Sequence, residues 1–386
     1  MGERTARPSG DVARLRAAVI DACQADVDDD ELLAELSLRL RRLVPFDSSL
    51  WVGVDPDNHL ATSPTRVENV KPGQCVAYWE REFTVEDAML WRDLARAPRP
   101  AAALHEVTGG QPARSARWRE FLAPMGYDDE LRAVARTPTA TWGFFSLARA
   151  NGRPSFSPKE TALISSVSQP IGEALRSRWL RHAVPHPAPD GPGLLMVDRT
   201  GAIVSLNAEA EAWLDQLPPL YRNITGSEPA TPSGGGQWSE ATGLWNVIAR
   251  AWAAANGTEP GTARLRLRSR SGQWLVLHAS TLKVTGAMTE LTAVVIEPAQ
   301  AAEIAPIIVR AYGFTPRELE ITHGLARGLT TSEIAASLFL SAHTVRDYIK
   351  SIFEKVGVNS RGELVAQLFA EHYAPQHYEK HRAVEV

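Results

Sequence analysis

The sequence predicts a multidomain fold in which two α+β domains, each an antiparallel sheet with flanking helices, precede an all-α domain of four helices. The chain contains two series of predicted elements, each with apolar residues at helical spacing and apolar residues in strand-like alternation. The Pro- and Gly-rich segment HPAPDGPG (186–193) separates the two series. A run of closely spaced helix start signals then occupies the residues after 314. The length of 386 residues also favours several domains, because single cores rarely grow that large.

The first predicted domain covers residues 11–183. Apolar residues at helical spacing predict two opening helices, and alternating residues then predict strands, the first ending in the turn DPDN. Ser157, Pro158 and Glu160 form the start signal of a closing helix. The predicted elements are helices at 11–23 and 30–43, strands at 48–55, 131–136 and 142–149, and a helix from 157.

The second predicted domain covers residues 193–298. It begins with the hairpin LLMVDRTGAIVSLN, whose turn is formed by Asp198 to Gly201. Two helices and three strands follow, an order that suits an antiparallel sheet with helices to one side. The predicted elements are helices at 208–217 and near 240–255, a loop at 231–238, and strands at 262–269, 272–281 and 290–297.

A connecting helix is predicted at 299–313, and the four-helix domain at 314–374. Three of its helices begin with a hydroxyl residue followed three positions later by a glutamate, the capping-box pattern in which each residue's side chain bonds the other's backbone N–H. These pairs are Thr315 with Glu318, Thr330 with Glu333, and Ser360 with Glu363. Ser341 caps the remaining helix without an acid, and Gly328 is expected to end the first helix.

The helix predicted at about 342–356 has two different faces. Its apolar residues Val345, Ile349, Ile352 and Val356 form one stripe that must pack against the neighbouring helices. Arg346 and Lys350 lie four residues apart on an adjacent face and therefore point to solvent. A short helix supported from behind, with cations outward, fits the major groove of DNA, although an ordinary solvated surface helix has the same pattern.

The stretch FTPRELEITHGLARGLTTSEIAASLFLSAHTVRDYIKSIFEKVGVNSRGELV (314–365) resembles the four-helix DNA-binding domain of the LuxR family of bacterial regulators. The resemblance implies a helix-turn-helix domain whose third helix enters the major groove, with Arg346 and Lys350 at base edges. Asp347 stands where a neutral or basic residue is common in that family. Its carboxylate would therefore either accept a hydrogen bond from a cytosine amino group or repel the phosphates. The residues expected at the DNA are Thr330, Ser341, His343, Thr344, Arg346, Asp347, Lys350, Lys355 and Arg361. The resemblance implies that Thr344, Lys355 and Arg361 serve either contacts to the DNA backbone or helix packing.

The charge balance of the C-terminal domain favours a homodimer. Residues 314–373 contain six Lys or Arg and seven Asp or Glu, and the whole chain has a formal net charge of −4. One copy should bind DNA weakly, because phosphate neutralisation supplies most non-specific affinity. Two copies would double the contacts and read two half-sites. In the family resemblance the fourth helix supplies the dimer face, here Leu364, Leu368 and Phe369.

Residues 11–182 resemble a GAF domain and residues 193–298 a PAS domain, both small-molecule sensor modules, in an order that recurs among actinobacterial regulators. Tryptophan suits the largely apolar pockets of such modules, but it is also a large core residue. The two domains could equally serve only as a platform for dimerisation or protein interaction. The candidates for ligand contact are Trp51, Trp79, Trp142, Trp213 and Trp245, with Trp118, Phe144 and Trp274 as further aromatic residues.

A mechanism follows from this organisation as a hypothesis. A ligand or partner at the sensor domains would shift the relative placement of two C-terminal domains through the helices at 157–183 and 299–312. Pro170 would kink the first of these helices and make it a hinge.

Other classes of function are less well supported by the sequence. His59, His105, His182 and His278 lack the flanking pattern of haem ligands, and the cluster Asp28 to Asp30 lacks the glycine turn of a calcium loop. No nucleophile elbow, zinc-protease, phosphate-loop or dinucleotide motif occurs, so neither an enzyme nor a cofactor is expected. The order of elements also disfavours a phosphorylated receiver domain.

The expected location is the cytoplasm, because no apolar run is long enough for a membrane helix and the N-terminus lacks the core of a signal peptide. The expected partners are double-stranded DNA and a second copy of the chain, with a small-molecule effector and RNA polymerase as further candidates.

Overall fold

The computed structural model describes residues 10–70, 75–180, 189, 191–217, 242–258, 261–270, 272–283 and 290–369. They divide into two compact units. The first unit takes in the described parts of 1–175 and 186–298, and the second those of 176–185 and 299–386. Half of the predicted linker at 186–193 and the whole predicted loop at 231–238 lie outside the described residues.

The N-terminal part of the first unit is a five-stranded antiparallel sheet with helices around it. Its strand order is β2-β1-β5-β4-β3, and the closing helix continues through Pro170. The elements are α1 (Gly10–Gln24), α2 (Asp29–Leu43), β1 (Ser48–Val54), β2 (Ala61–Glu68), α3 (Cys75–Thr84), α4 (Trp91–Arg96), β3 (Ala101–Ala103), α5 (Leu104–Val107), β4 (Tyr127–Arg136), β5 (Thr141–Ala150) and α6 (Pro158–Arg178).

Side-chain alternation along β5 places aromatic residues on both faces of this sheet. Phe145 stacks on Trp51, its partner in β1, with ring centroids 4.6 Å apart. The preceding residue, Phe144, points to the other face because successive strand residues alternate, and it stacks on Trp91 at 4.8 Å. Both faces of the sheet are therefore buried.

A second five-stranded antiparallel sheet follows, in the order β7-β6-β10-β9-β8. When the strands of each sheet are renumbered from one in chain order, the two sheets have the same strand order. Asn207 caps the first helix of this part by accepting a hydrogen bond from the Ala210 N–H at 2.9 Å. The elements are β6 (Gly193–Asp198), β7 (Ile203–Leu206), α7 (Ala208–Gln216), α8 (Thr242–Ala255), β8 (Arg264–Arg268), β9 (Trp274–Lys283) and β10 (Glu290–Pro298).

The two sheets of the first unit share one hydrophobic core. Trp79 and Phe83 from α3 belong to the same buried cluster as Trp245, Ile248 and Trp252 from α8. The predicted boundary between two sensor domains therefore does not separate two cores. The reason is that α8 is apolar around much of its circumference and buries one side against its own sheet and another against α3.

A buried ion pair joins the β1–β2 turn to β8 within this unit. The Asp55 side chain is fully buried and accepts two hydrogen bonds from the Arg266 guanidinium, at 2.7 and 2.8 Å. Arg266 also donates to Asp57 at 2.7 Å. Burial raises the pKa of Asp55, and the guanidinium opposes that shift. The Asn58 side-chain amide donates to the Arg264 carbonyl oxygen at 2.7 Å and extends the same junction.

The second unit contains α9 (Ala301–Ala311), α10 (Pro316–Ala326), α11 (Thr331–Leu338), α12 (Ala342–Val356) and α13 (Arg361–Phe369). The capping boxes predicted at Thr315 and Thr330 are confirmed. At Ser360 only half of the box forms, because Glu363 accepts from the Asn359 N–H instead of the Ser360 N–H. Gly328 follows α10 in the left-handed conformation, with φ of 87°. The fold class predicted from the sequence is confirmed.

The Glu318 carboxylate joins α10 to α12. It accepts hydrogen bonds from the Thr315 N–H at 2.7 Å, the Ser351 hydroxyl at 2.7 Å and the Lys355 ammonium at 2.5 Å. Lys355 also donates to the Gly313 carbonyl oxygen at 3.2 Å. Burial by itself raises the pKa of Glu318, but these donors outweigh it and lower the pKa to about 2.

Removing either partner of the Asp55–Arg266 pair should destabilise the first unit, because the other charge stays buried without its counter-ion. We expect Asp55→Ala and Arg266→Ala each to lower the free energy of unfolding by about 3–5 kcal/mol. The double variant should cost clearly less than the sum. Urea unfolding followed by tryptophan fluorescence measures this, since Trp213 and Trp252 lie in the core of the unit.

The matched control is Arg99→Ala, which breaks the surface pair with Glu106 and should cost less than about 1 kcal/mol. Additive effects of Asp55→Ala and Arg266→Ala would show that the pair does not hold the junction.

Acidification should weaken the second unit through Glu318. Its folded-state pKa of about 2 lies below the ordinary value of 4.5, so the folded state binds the proton less tightly than the unfolded state. The stabilisation, up to about 3 kcal/mol, is complete above 4.5 and is lost as the pH falls towards 2. Hydrogen exchange of peptides from α10 and α12, corrected for intrinsic exchange rates, measures this loss.

Glu318→Gln should be less stable than the native protein at neutral pH, and the difference should shrink through the same pH range. The control is Glu320→Gln on the same helix, where the carboxylate is half-exposed and pairs with Arg317. Identical pH profiles for native protein and Glu318→Gln would assign the stability of α12 to other contacts.

Candidate nucleic-acid interface

Helix α12 is amphipathic, with one buried apolar side and one exposed charged side, as its sequence predicts. Val345, Ile352 and Val356 are buried, while Arg346 and Lys350 are exposed. The buried side packs into a core of its own unit formed with residues of α10, α11 and α13. Since α12 is held from behind, its charged side forms a firm outward surface, here called the α12 outer face: His343, Arg346, Asp347, Lys350 and Glu354.

The charges of the α12 outer face are only loosely paired with each other. His343 Nε2 lies 3.8 Å from an Asp347 oxygen, and Lys350 Nζ lies 3.9 Å from a Glu354 oxygen. All four side chains are more than two-thirds exposed. Pairs of this kind contribute little in water, so Lys350 can exchange its partner for phosphate or base acceptors at small cost.

The start of α12 faces solvent as well. The Ser341 hydroxyl accepts from the Thr344 N–H at 3.0 Å and lies 2.8 Å from the Thr344 hydroxyl. The Thr330 hydroxyl serves the capping box of α11 with Glu333. Ser341 and Thr330 thus fix the first turns of the two helices, and the positive end of the α12 dipole favours an anion there.

Two of the cations predicted at DNA are used inside the unit. Lys355 binds Glu318 and the Gly313 carbonyl oxygen. Arg361 donates to the carbonyl oxygens of Leu325 and Leu329, the latter at 2.8 Å. The structure therefore gives both side chains a supporting role, at the back of α12 and at the turn between α10 and α11.

The predicted dimer face is placed differently from the expectation. Leu364 and Leu368 are 1% and 3% exposed and lie in the core of their own unit, where they are inaccessible to a partner. The side chain of Phe369 lies outside the described residues. Among the residues of α13 whose burial the structure describes, Gly362, Glu363 and Ala366 are exposed.

Phe339 is a feature that the sequence did not single out. It is 96% exposed and caps α11 in the left-handed conformation, with φ of 55°. Neither property has a local signal, because phenylalanine is usually buried and left-handed caps are usually glycine.

All five tryptophans predicted at a ligand are buried, and Trp79 also lines a cavity formed by described residues. Trp79 and the further aromatic residue Phe144 are among the residues around a space of about 320 Å³ in the first unit. The other four predicted tryptophans are buried in the core: Trp51, Trp142, Trp213 and Trp245. Arg96 and Arg250, also at this cavity, were missed because they are far apart in the chain and follow no motif.

Within the part of the chain that the structure describes, no three His, Cys, Asp or Glu side chains are placed to share a metal ion. Among the same residues, none of the helices combines the length and the hydropathy that crossing a bilayer requires.

Comparison with known families gives a match in the second unit. The family described as bacterial regulatory proteins, luxR family, matches residues 313–368, which contain α10 to α12 and nearly all of α13. Spore germination protein GerE of Bacillus subtilis is 43% identical over 54 residues, which are 14% of this chain and 73% of GerE. Response regulator Rre1 of Synechocystis is 46% identical over 52 residues, which are 14% of this chain but only 22% of Rre1.

Similarity to solved structures extends further along the chain but is distant. Escherichia coli SdiA matches 93% of this chain and 98% of its own, at 12% identity and a TM-score of 0.30. A GAF domain/HD domain protein from Geobacter sulfurreducens matches 39% of this chain and 95% of its own, at 19% identity and a TM-score of 0.30. Neither likeness is close enough to define a shared arrangement.

The segment with the α12 outer face is thus the segment in which the sequence similarity lies. The family match falls on these helices, and GerE is matched over most of its own length. The chain belongs to the luxR family of bacterial regulatory proteins.

Proposed function

We propose that this protein is a sequence-specific, dimeric DNA-binding transcriptional regulator whose first unit modulates DNA binding in response to a small molecule. The observation that carries the proposal is the α12 outer face, where Arg346 and Lys350 are exposed on a helix whose opposite side is buried. The family match, which covers this helix, supports the same reading.

The dimensions of α12 suit the major groove. Its 15 residues span roughly 22 Å, and a B-DNA major groove about 12 Å wide admits one helix. Arg346 and Lys350 lie one turn apart on the α12 outer face, so both can reach the same few base pairs. An arginine can donate two hydrogen bonds to guanine, which gives Arg346 the larger share of sequence preference.

A single copy carries few cations for this task. The acidic Asp347 and Glu354 lie on the same face as Arg346 and Lys350 and reduce its positive potential. Two copies on two half-sites double the phosphate and base contacts. Because Leu364 and Leu368 are buried, the dimer contact in this proposal involves other surfaces of the chain.

Control by the first unit would act through the helices at the division between the units. That division falls within α6 after Leu175 and again before α9. A change in the sensor region that alters these helices would alter the spacing of two α12 helices, and hence their fit to two half-sites. RNA polymerase is a further partner of a regulator of this kind. In a second form of the proposal, the first unit acts only as a protein-interaction platform.

Arg346→Ala should reduce affinity for the preferred site by roughly 10- to 100-fold and leave binding to unrelated DNA within a few-fold, because a base contact is lost. Site selection from random DNA, followed by fluorescence anisotropy on the selected and a scrambled duplex, measures both affinities.

Arg114→Ala is the matched control, since it removes one exposed arginine from the first unit. Unchanged discrimination between selected and scrambled DNA in Arg346→Ala would remove α12 from sequence recognition.

Two half-sites whose centres lie about 10–10.5 base pairs apart should be bound by two copies of the chain. We expect affinity at least about 100-fold higher than for a duplex with one half-site, because the second contact becomes intramolecular. Anisotropy titrations and the mass of the complex in solution give affinity and stoichiometry. A duplex with the spacing changed by about half a helical turn is the control. One copy per duplex with the same affinity on all three would rule out dimeric recognition.

A further inference from the structure

The cavity in the first unit lies where the two sheets meet. Its walls come from the β1–β2 turn, α3, α4 and β5 on one side, and from α8 and the residues before β8 on the other. Its volume of about 320 Å³ is within the range of small-molecule sites. The residues that decide its chemistry are His59, Trp79, Trp91, Arg96, Phe144 and Arg250.

Stacked aromatic rings form one side of the cavity, here called the aromatic wall. Trp91 and Phe144 stack with ring centroids 4.8 Å apart and an angle of 3° between their planes. Trp79 and Phe83 are also stacked, with centroids 6.2 Å apart and an angle of 21°. A planar, apolar group can pack against the accessible edges of these rings.

The charged residues at the cavity favour an anion. The lining contains three arginines, Arg92, Arg96 and Arg250, but only two carboxylates, Asp57 and Glu82. Arg92 is paired with Glu86, and the Arg250 guanidinium lies over the Phe83 ring, so Arg96 is the most exposed of the three cations. Both carboxylates already have arginine partners behind the wall. Asp57 accepts from Arg266 at 2.7 Å, and Glu82 accepts from Arg132 at 2.8 Å.

Two residues that line the cavity, His59 and Gly261, have positive backbone φ angles. His59 has a left-handed backbone with φ of 60°, held by the hydrogen bond from its N–H to the Asp55 carbonyl oxygen at 2.8 Å. Gly261 has φ of 132°, and a Cβ there would come within 2.8 Å of the Arg250 guanidinium. Unfavourable backbone conformations of this kind concentrate at functional sites.

We propose that this cavity binds a small planar aromatic carboxylate, with its ring against Trp91 and Phe144 and its carboxylate towards the arginines. The assignment rests on the proposed regulatory function and names its effector class. Because both sheets contribute walls, the bound carboxylate stabilises the junction that Asp55 and Arg266 hold. The ligand then shifts the population of the protein towards conformations in which this junction is intact.

The test uses the full chain and three probes of similar shape: 2-naphthoate, its neutral amide 2-naphthamide, and the cation 2-naphthylmethylammonium. Isothermal titration calorimetry and quenching of tryptophan fluorescence measure binding. We expect saturable binding of the carboxylate, at least about tenfold tighter than that of the amide, because a charge-assisted contact is lost in the amide. The ammonium probe should bind more weakly still.

Two variants locate the site. Arg96→Ala removes an exposed cation at the cavity and should weaken 2-naphthoate binding about tenfold. Thr262→Phe adds a ring at the exposed rim and should weaken all probes. The control Arg114→Ala removes an exposed arginine elsewhere in the first unit and should change nothing. Equal binding of the three probes, absence of saturable binding, or equal behaviour of Arg96→Ala and Arg114→Ala would each overturn the assignment.

The DNA-binding proposal is tested separately, by anisotropy with the selected duplex in the absence of any probe. Failure of 2-naphthoate binding with intact DNA binding would reject the cavity assignment alone. Saturable 2-naphthoate binding in a chain without DNA affinity would reject the regulatory function and keep the site. A shift of DNA affinity with 2-naphthoate in the native protein, but not in Thr262→Phe, supports both.

Discussion

The Glu318 carboxylate is the constraint on which the α12 outer face depends. A 15-residue amphipathic helix is marginal by itself and needs tertiary contacts to hold its orientation. Glu318 fixes α12 against α10, because its carboxylate completes the cap of α10 and accepts hydrogen bonds from Ser351 and Lys355 of α12. Its position in the wall of the core, at 3% exposure, shields these bonds from water and salt. The cations of the opposite face can therefore be presented to DNA with little further ordering.

The first unit contains two sheets with the same strand order, and both have apolar surfaces that must be buried. Each sheet leaves an apolar surface, and α8 lies between them with α3 on its other side. Two polar contacts lie at this junction, the pair of Asp55 with Arg266 and the hydrogen bond from the Ala61 N–H to the Asn246 side-chain oxygen at 2.9 Å. The junction therefore combines apolar packing with a buried charge pair.

Behind the aromatic wall lies a network of buried charges. The fully buried Arg132 donates to Glu82 at 2.8 Å, to Glu130 at 3.2 Å and to the Tyr78 hydroxyl at 3.0 Å. Its guanidinium lies 4.4 Å from the centre of a Trp91 ring. Burial would raise the pKa of Glu130, but Arg132 and Arg117 lower it below its usual value, and burial raises the pKa of Tyr78. The network holds the Trp91 ring in place, so this part of the cavity wall needs no further ordering.

The sequence by itself determined the features that local chemistry decides. The caps at Thr315, Thr330 and Ser341 lie where their patterns predict, because a capping residue and the N–H groups that it satisfies are neighbours in the chain. Only the tertiary structure decided the partners of the charged and aromatic side chains. Lys355 turns to Glu318 of another helix, and Trp79 reaches a cavity while Trp213 fills a core. Their local sequences do not distinguish these outcomes, because such contacts join residues that come together only when the chain folds.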